Sequence, residues 1–186
     1  LAVEAKEPYT AGHSKRVGFY ATKIAEAMGL DEEAKKTIHY GGILHDVGKI
    51  GVRDDILLKI SSLTRDEQEV MQKHSLIGEA ILKPLQSLNK VAQLVRTHHE
   101  RYDGTGYPGK LKGEEIPLGA RILVVADSYD AMATDRPYRK RLTLDQIKEE
   151  FRQGSGTQFD PRVVEVLFVL LDDRERRFTI GKSDSQ

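Results

Sequence analysis

Five of the chain's six histidines stand among residues of metal-ligand character: His13, His45 in the pair His45-Asp46, His74, and the adjacent His98 and His99, with Asp127 following. Neutral imidazole and ionised carboxylate are what first-row divalent ions take when no thiolate is offered, and the chain has no cysteine. Seven such donors are too many for one structural ion and suit two ions that leave room for water. Two ions about 3.5–4 Å apart are the usual arrangement for phosphoryl transfer. A hydroxide held between them is available at neutral pH, and their charge offsets that of the phosphoryl oxygens. Consecutive side chains on a helix point about 100° apart, so of His45 and Asp46 one can serve a single ion while the other bridges both. Taken alone, His13 or His74 on an apolar face reads as an ordinary hydrogen-bonded core histidine. His39, with no acidic partner suggested, keeps that reading.

The rest of the composition narrows the class. A chain of 186 residues is long enough for one domain with a substantial core. Lys+Arg and Asp+Glu balance at 29 each, so no overall basic field would track a nucleic-acid polymer, whereas local cations can still serve a small anion. The absence of cysteine excludes a disulfide scaffold, a zinc finger and a thiol nucleophile, and is compatible with a cytoplasmic location. The apolar run Val163–Leu171 is short and contains Glu165, so no membrane insertion of this segment is expected. No signal peptide opens the chain, and its first residue is Leu1, which reads as a domain cut from something longer and leaves room for a covalently linked upstream sensory domain.

The elements that must position these donors are helical. Val17, Tyr20, Ile24 and Met28 recur at helical spacing from His13 onward, and Gly29 ends the run. Asp31 caps a second helix leading to His45-Asp46. Thr64 and Glu67 form a capping box for a third, through His74 to about Pro84. Asn89 caps a helix over Val91–His99, and Thr143 with Gln146 opens one reaching Arg152. Six glycines or prolines (Gly104, Gly106, Pro108, Gly109, Gly113, Pro117) make residues 100–119 a long loop, of a length that is functional when ordered. Arg121–Met132 is apolar nearly all round and is assigned as a central buried helix, for want of strands to pair with it. Pro161 starts a last helix, after the cap Asp160. The charged residues 173–186 form a flexible tail beyond a domain of residues 1–172.

His45, Asp46 and Lys49, followed by His98, His99, Glu100, Asp103, Gly104, Gly106, Tyr107 and Pro108, resemble the HD-GYP branch of the HD phosphohydrolases. The likeness extends to Pro8 through Val17, to Ala126, Asp127, Asp130 and Met132, to Arg136 through Arg139, and to Phe159, Asp160 and Pro161. It implies an all-α HD-domain bundle whose Gly-rich loop bears the GYP motif. The activity implied is metal-dependent hydrolysis of the bacterial second messenger cyclic di-GMP to the linear dinucleotide pGpG, and often on to GMP. His13, His45, Asp46 and Asp127 would hold one ion, and His74, His98 and His99 the other, with Asp46 bridging and catalytic. Lys49 would meet a phosphate or the leaving oxygen, Tyr107 would face the ligand, and Arg136 and Arg139 would grip its phosphates or guanine edges, as planar five-donor forks do. Iron or manganese is favoured by the resemblance alone. Glu100 and Asp103 read as supports for histidine N–H groups or for the loop, Asp130 as an orienting or structural residue, and Gly104 and Gly106 as suppliers of backbone conformations closed to other residues.

Tyr9 stands where some members of the family place a glutamate for a third ion, which favours two ions here. Two competing readings remain: an enzyme acting on another cyclic dinucleotide or a mononucleotide phosphate, and a non-catalytic module that senses the dinucleotide or docks on a diguanylate cyclase domain through the Tyr107 loop. The complete ligand set argues against the sensor.

Overall fold

The computed structural model describes residues 12–135 and 139–183, with side chains as far as residue 173. Among the described residues nine α-helices follow one another: α1 (His13–Ala27), α2 (Glu32–Leu44), α3 (Asp54–Leu57), α4 (Arg65–Gln72), α5 (His74–Leu82), α6 (Asn89–Thr97), α7 (Leu118–Ala133), α8 (Leu144–Gly154) and α9 (Pro161–Ser183). They contain no β-sheet, only an isolated bridge between Ser155 and Phe159. The all-α expectation holds. None of the described helices is long and apolar enough to cross a membrane.

Local chemistry sets most boundaries. The Asp31 carboxylate accepts from Ala34 N at 2.8 Å, and the boxes Thr64/Glu67 and Thr143/Gln146 close as the spacing predicts. Asn89 is a different case. The 3-10 turn Gln86–Leu88 runs straight into α6, so Asn89 already has helical dihedrals and caps nothing with its side chain. The single helix expected from Thr64 to about Pro84 is divided at Lys73, whose N–H turns to Val70 O, and ends at Leu82. The His74 ring takes the Met71 carbonyl that an unbroken helix would offer to Ser75 N. α9 runs on to Ser183, past Leu171 where the apolar pattern ends; residues 184–186 lie outside the described residues.

α7 is apolar all round because it is packed all round: Ala120, Ile122, Leu123, Val125 and Ala126 are almost wholly buried against Val17 and Ile24 of α1, Ile38 of α2, Leu94 of α6, Phe151 of α8 and Val163 and Leu167 of α9. A smaller cluster of Leu82, Val91, Ala92 and Val95 joins α5 to α6. α1 and α2 cross in backbone contact, since a Cβ on Gly42 would lie 2.6 Å from Gly18 Cα. That crossing brings His13 and His45 to a ring separation of 5.3 Å. Asp160 both accepts from Arg162 N at the start of α9 and pairs with the buried Arg121 of α7 at 2.6 Å.

Candidate metal centre

His45, His74 and His98 sit at comparable places in the chain: His45 and His98 cap the C-termini of α2 and α6, and His74 follows the end of α4. There the last carbonyls of a helix lack amide partners. Each imidazole donates its Nδ1 proton to the carbonyl three residues back: His45 to Gly42 at 2.7 Å, His74 to Met71 at 2.7 Å, His98 to Val95 at 2.6 Å. A carbonyl can only accept, so the proton is on Nδ1 and the Nε2 lone pair points away from the helix. Such bonds set ring orientation and tautomer in metal sites generally. His13, the first residue of α1, donates Nδ1 instead to the Asp130 carboxylate, at 2.7 Å. His99 lies under Tyr107, with ring centroids 4.8 Å apart and planes 27° apart.

The seven expected donors do come together, in two groups: Asp46, His74, His98 and His99 in one, and His13, His45 and Asp127 in the other, with ligand atoms in each within 4.8 Å of one another. Asp46 stands between them, Oδ1 at 3.5 Å from His74 Nε2 and Oδ2 at 3.3 Å from His45 Nε2. His74 Nε2 and His98 Nε2 face each other at 3.4 Å. Both rings spend their Nδ1 protons on carbonyls, so when neutral these are two lone pairs directed at one point, an arrangement that a shared cation relieves. The donor set therefore fits divalent metal ions. Among the described residues His39 belongs to neither group, and its Nδ1 lies 3.2 Å from Thr22 Oγ1.

Charge states differ between the two groups. Burial and neighbouring imidazoles push His98 well below the usual histidine range; burial lowers His74 and takes His99 to about 3. Burial alone would raise Asp46, yet His45 and Lys49 hold it well below the usual carboxylate range. Asp127 is lowered against burial by its bond to His13 and the charge of His45. His13 is the converse: burial disfavours its charge, but bonds to Asp127 and Asp130 outweigh this and raise it to about 9. Neutral imidazoles and ionised acids are the protonation states that ligands require. His74, His98 and His99 already meet this, whereas His13, and His45 raised against burial by the charge of Asp46, would release a proton on binding a metal.

Lys49 reaches the centre by a route the sequence did not indicate. α2 does not continue beyond Leu44; the 3-10 turn Val47–Gly51 replaces it, and Lys49 Nζ comes to 2.9 Å from Asp46 Oδ2. Glu100 and Asp103 support the loop and not a histidine ring: Glu100 accepts from Gly109 N and Leu111 N, and Asp103 accepts from Thr105 N and pairs with Arg101. Backbone bonds from Tyr102 N to Gln158 O and from Asp103 N to Thr157 O tie this loop to the turn between α8 and α9. Gly104 has the expected left-handed φ of 84°. Gly106 instead answers to close packing, because a Cβ there would lie 2.3 Å from Arg101 N. Burial and the charges of Asp46 and Asp127 push the Tyr107 phenol up, so it stays protonated. Arg139 is exposed and donates to Ala131 O at 2.6 Å. Arg136 and Tyr9 lie outside the described residues. Arg16, to which the sequence reading gave no role, grips Asp130 with two donors at 2.6 and 3.1 Å; its place three residues after His13 was the available signal.

A family model described as HD domain matches residues 2–163. The chain is 43% identical over 169 residues to a protein of Thermotoga maritima named cyclic di-GMP phosphodiesterase, covering 90% of this chain and 46% of that one. It is 40% identical over 174 residues to a 3'3'-cGAMP-specific phosphodiesterase 2 of Vibrio cholerae, covering 92% and 33% respectively. The chain thus spans less than half the length of these relatives. Its fold matches the crystal structure of a cyclic GMP-AMP-specific phosphodiesterase of V. cholerae with a TM-score of 0.73 at 22% identity, over 92% of this chain and 46% of the other.

Proposed function

The chain belongs to the HD domain family, and from that premise we propose that it is a metal-dependent cyclic dinucleotide phosphodiesterase that opens cyclic di-GMP to pGpG. The observation that carries this reading is the meeting of two donor groups at one carboxylate, Asp46, with the Nε2 atoms of His74 and His98 facing each other. His13, His45 and Asp127 would hold one divalent ion, His74, His98 and His99 the other, and Asp46 would serve both. Two such ions acidify water and offset the charge of a phosphodiester.

The remaining work falls to side chains around that pair. Lys49 Nζ, held beside Asp46, is placed to meet a phosphate oxygen and to donate a proton to the departing ribose 3′ oxygen. Tyr107, stacked on His99, would face the ligand and donate to it from its phenol. Arg136 and Arg139 supply cations for phosphates or guanine edges. The 3'3'-cGAMP-specific relative favours a second reading, in which the mixed guanine–adenine dinucleotide is the substrate.

Turnover of cyclic di-GMP, 3'3'-cGAMP and cyclic di-AMP by protein loaded anaerobically with iron or manganese, with products separated by chromatography, tests both. Cyclic di-GMP is expected to be the fastest and to yield pGpG. Faster turnover of 3'3'-cGAMP would transfer the assignment to the second reading, and no hydrolysis across the metal panel would leave the sensor reading in its place.

Metal removal has its own expected result. An ion that binds only the folded chain at a hundred times its Kd adds about 2.7 kcal/mol, or roughly 5–10 °C in Tm for a domain of this size. Chelation should therefore lower Tm by about that much for each ion removed. A melt unmoved by a chelator that has demonstrably stripped the metal contradicts the two-ion site.

A further inference from the structure

We propose that Asp130, gripped by Arg16, is a positioning residue for His13, and that the ion held by His13, His45 and Asp127 depends on it while the ion held by His74, His98 and His99 does not. The inference rests on the metal reading above and adds to it an inequality between the two sites.

Two pairs of residues one helical turn apart face each other, His13 and Arg16 on α1 and Asp127 and Asp130 on α7. The His13 ring is held at both nitrogens, Nε2 lying 3.3 Å from Asp127 Oδ1 and Nδ1 2.7 Å from Asp130 Oδ2. Arg16 donates from Nε to Asp130 Oδ1 and from Nη2 to Oδ2, which fixes the plane of the carboxylate, and Thr134 Oγ1 approaches Oδ1 at 3.4 Å. Asp130 is 1% exposed, so this carboxylate is committed to the interior.

The position of His13 in its helix explains why a foreign side chain is needed. His45 and His98 follow helix C-termini, and His74, although it opens α5, comes directly after the end of α4, so each has a carbonyl three residues back to fix the ring. His13 opens α1, where the unsatisfied groups are N–H donors and no carbonyl of its own helix lies behind it. A carboxylate from α7 takes that place. It differs from a carbonyl in two ways: it carries charge, and a substitution can remove it.

Titration with Mn2+, followed by the EPR sextet of the free ion, reads the two sites separately from activity. Wild-type protein is expected to bind two ions. Asp130→Asn keeps the size of the side chain and an acceptor oxygen but removes the charge, and is expected to weaken one ion by about 10–100-fold while the other keeps its affinity. Asp130→Ala should weaken the same ion further. Equal weakening of both ions, or neither, in a variant of unchanged circular dichroism overturns the proposal. So does an Asn variant that is unfolded at the working temperature, which would make Asp130 a residue of the fold. A wild-type protein that binds fewer than two Mn2+ removes the two-ion reading itself, a failure distinct from the others.

Discussion

Asp46→Ala is expected to lower the turnover of cyclic di-GMP by about a thousandfold or more, equivalent to roughly 4 kcal/mol of transition-state stabilisation, and to reduce bound metal in the same protein. The reason is its position. Asp46 is the donor shared by both groups, with one oxygen near His74 and the other near His45. It also pairs with Lys49 Nζ, at 2.9 Å. Without it, the three imidazoles of one group lose the one carboxylate grouped with them among the described residues, and two cations would face each other without the anion that stands between the groups. Asp46→Asn separates charge from shape, and should retain the fold but not the metal stoichiometry. Metal analysis beside turnover decides the matter: substantial activity in alanine protein that still carries two ions would remove Asp46 from its bridging place.

The second large effect is on folding. Gly48→Ala should lower stability by about 3 kcal/mol or more, at or beyond the upper end of ordinary overpacking, which corresponds to roughly 6–12 °C in Tm. A Cβ on Gly48 would lie 1.8 Å from His74 O and 2.5 Å from Gly78 N. These are backbone atoms of α5, and no rotamer change relieves the overlap. The turn Val47–Gly51 must move away from α5, and His74 then moves away from Asp46, so one metal site should weaken together with the melt. A variant melting within a degree or two of wild type, with both ions bound, would show that this contact is not what holds the two elements in register.

Much of the centre was readable because ligand chemistry restricts residue type. Only histidine and acids suit these ions in a chain without cysteine, so the donors stood out before any fold was known. Helix starts were equally legible, since the boxes at Thr64 and Thr143 are local chemistry. The errors share one feature. The division at Lys73 of the helix expected to run to about Pro84 and the end of α2 at Leu44 go with a ring turning back on its own helix, and the tight packing of Gly106 comes from a loop folding back on residues 99–101; periodicity registers neither.

What residue identity decided by itself is the kind of chemistry: seven nitrogen and oxygen donors, a lysine close behind two of them, and helices to carry them. How the donors group in space, which nitrogen each ring presents and how His13 is held were decided only in three dimensions. Ring orientation depends on which acceptor lies behind Nδ1: a carbonyl three residues away for His45, His74 and His98, and for His13 a carboxylate 117 residues away. Hydrogen bonds within one turn can be inferred from a string of letters. A bond between the first turn of α1 and the buried face of α7 exists only because the core between those helices packs as it does.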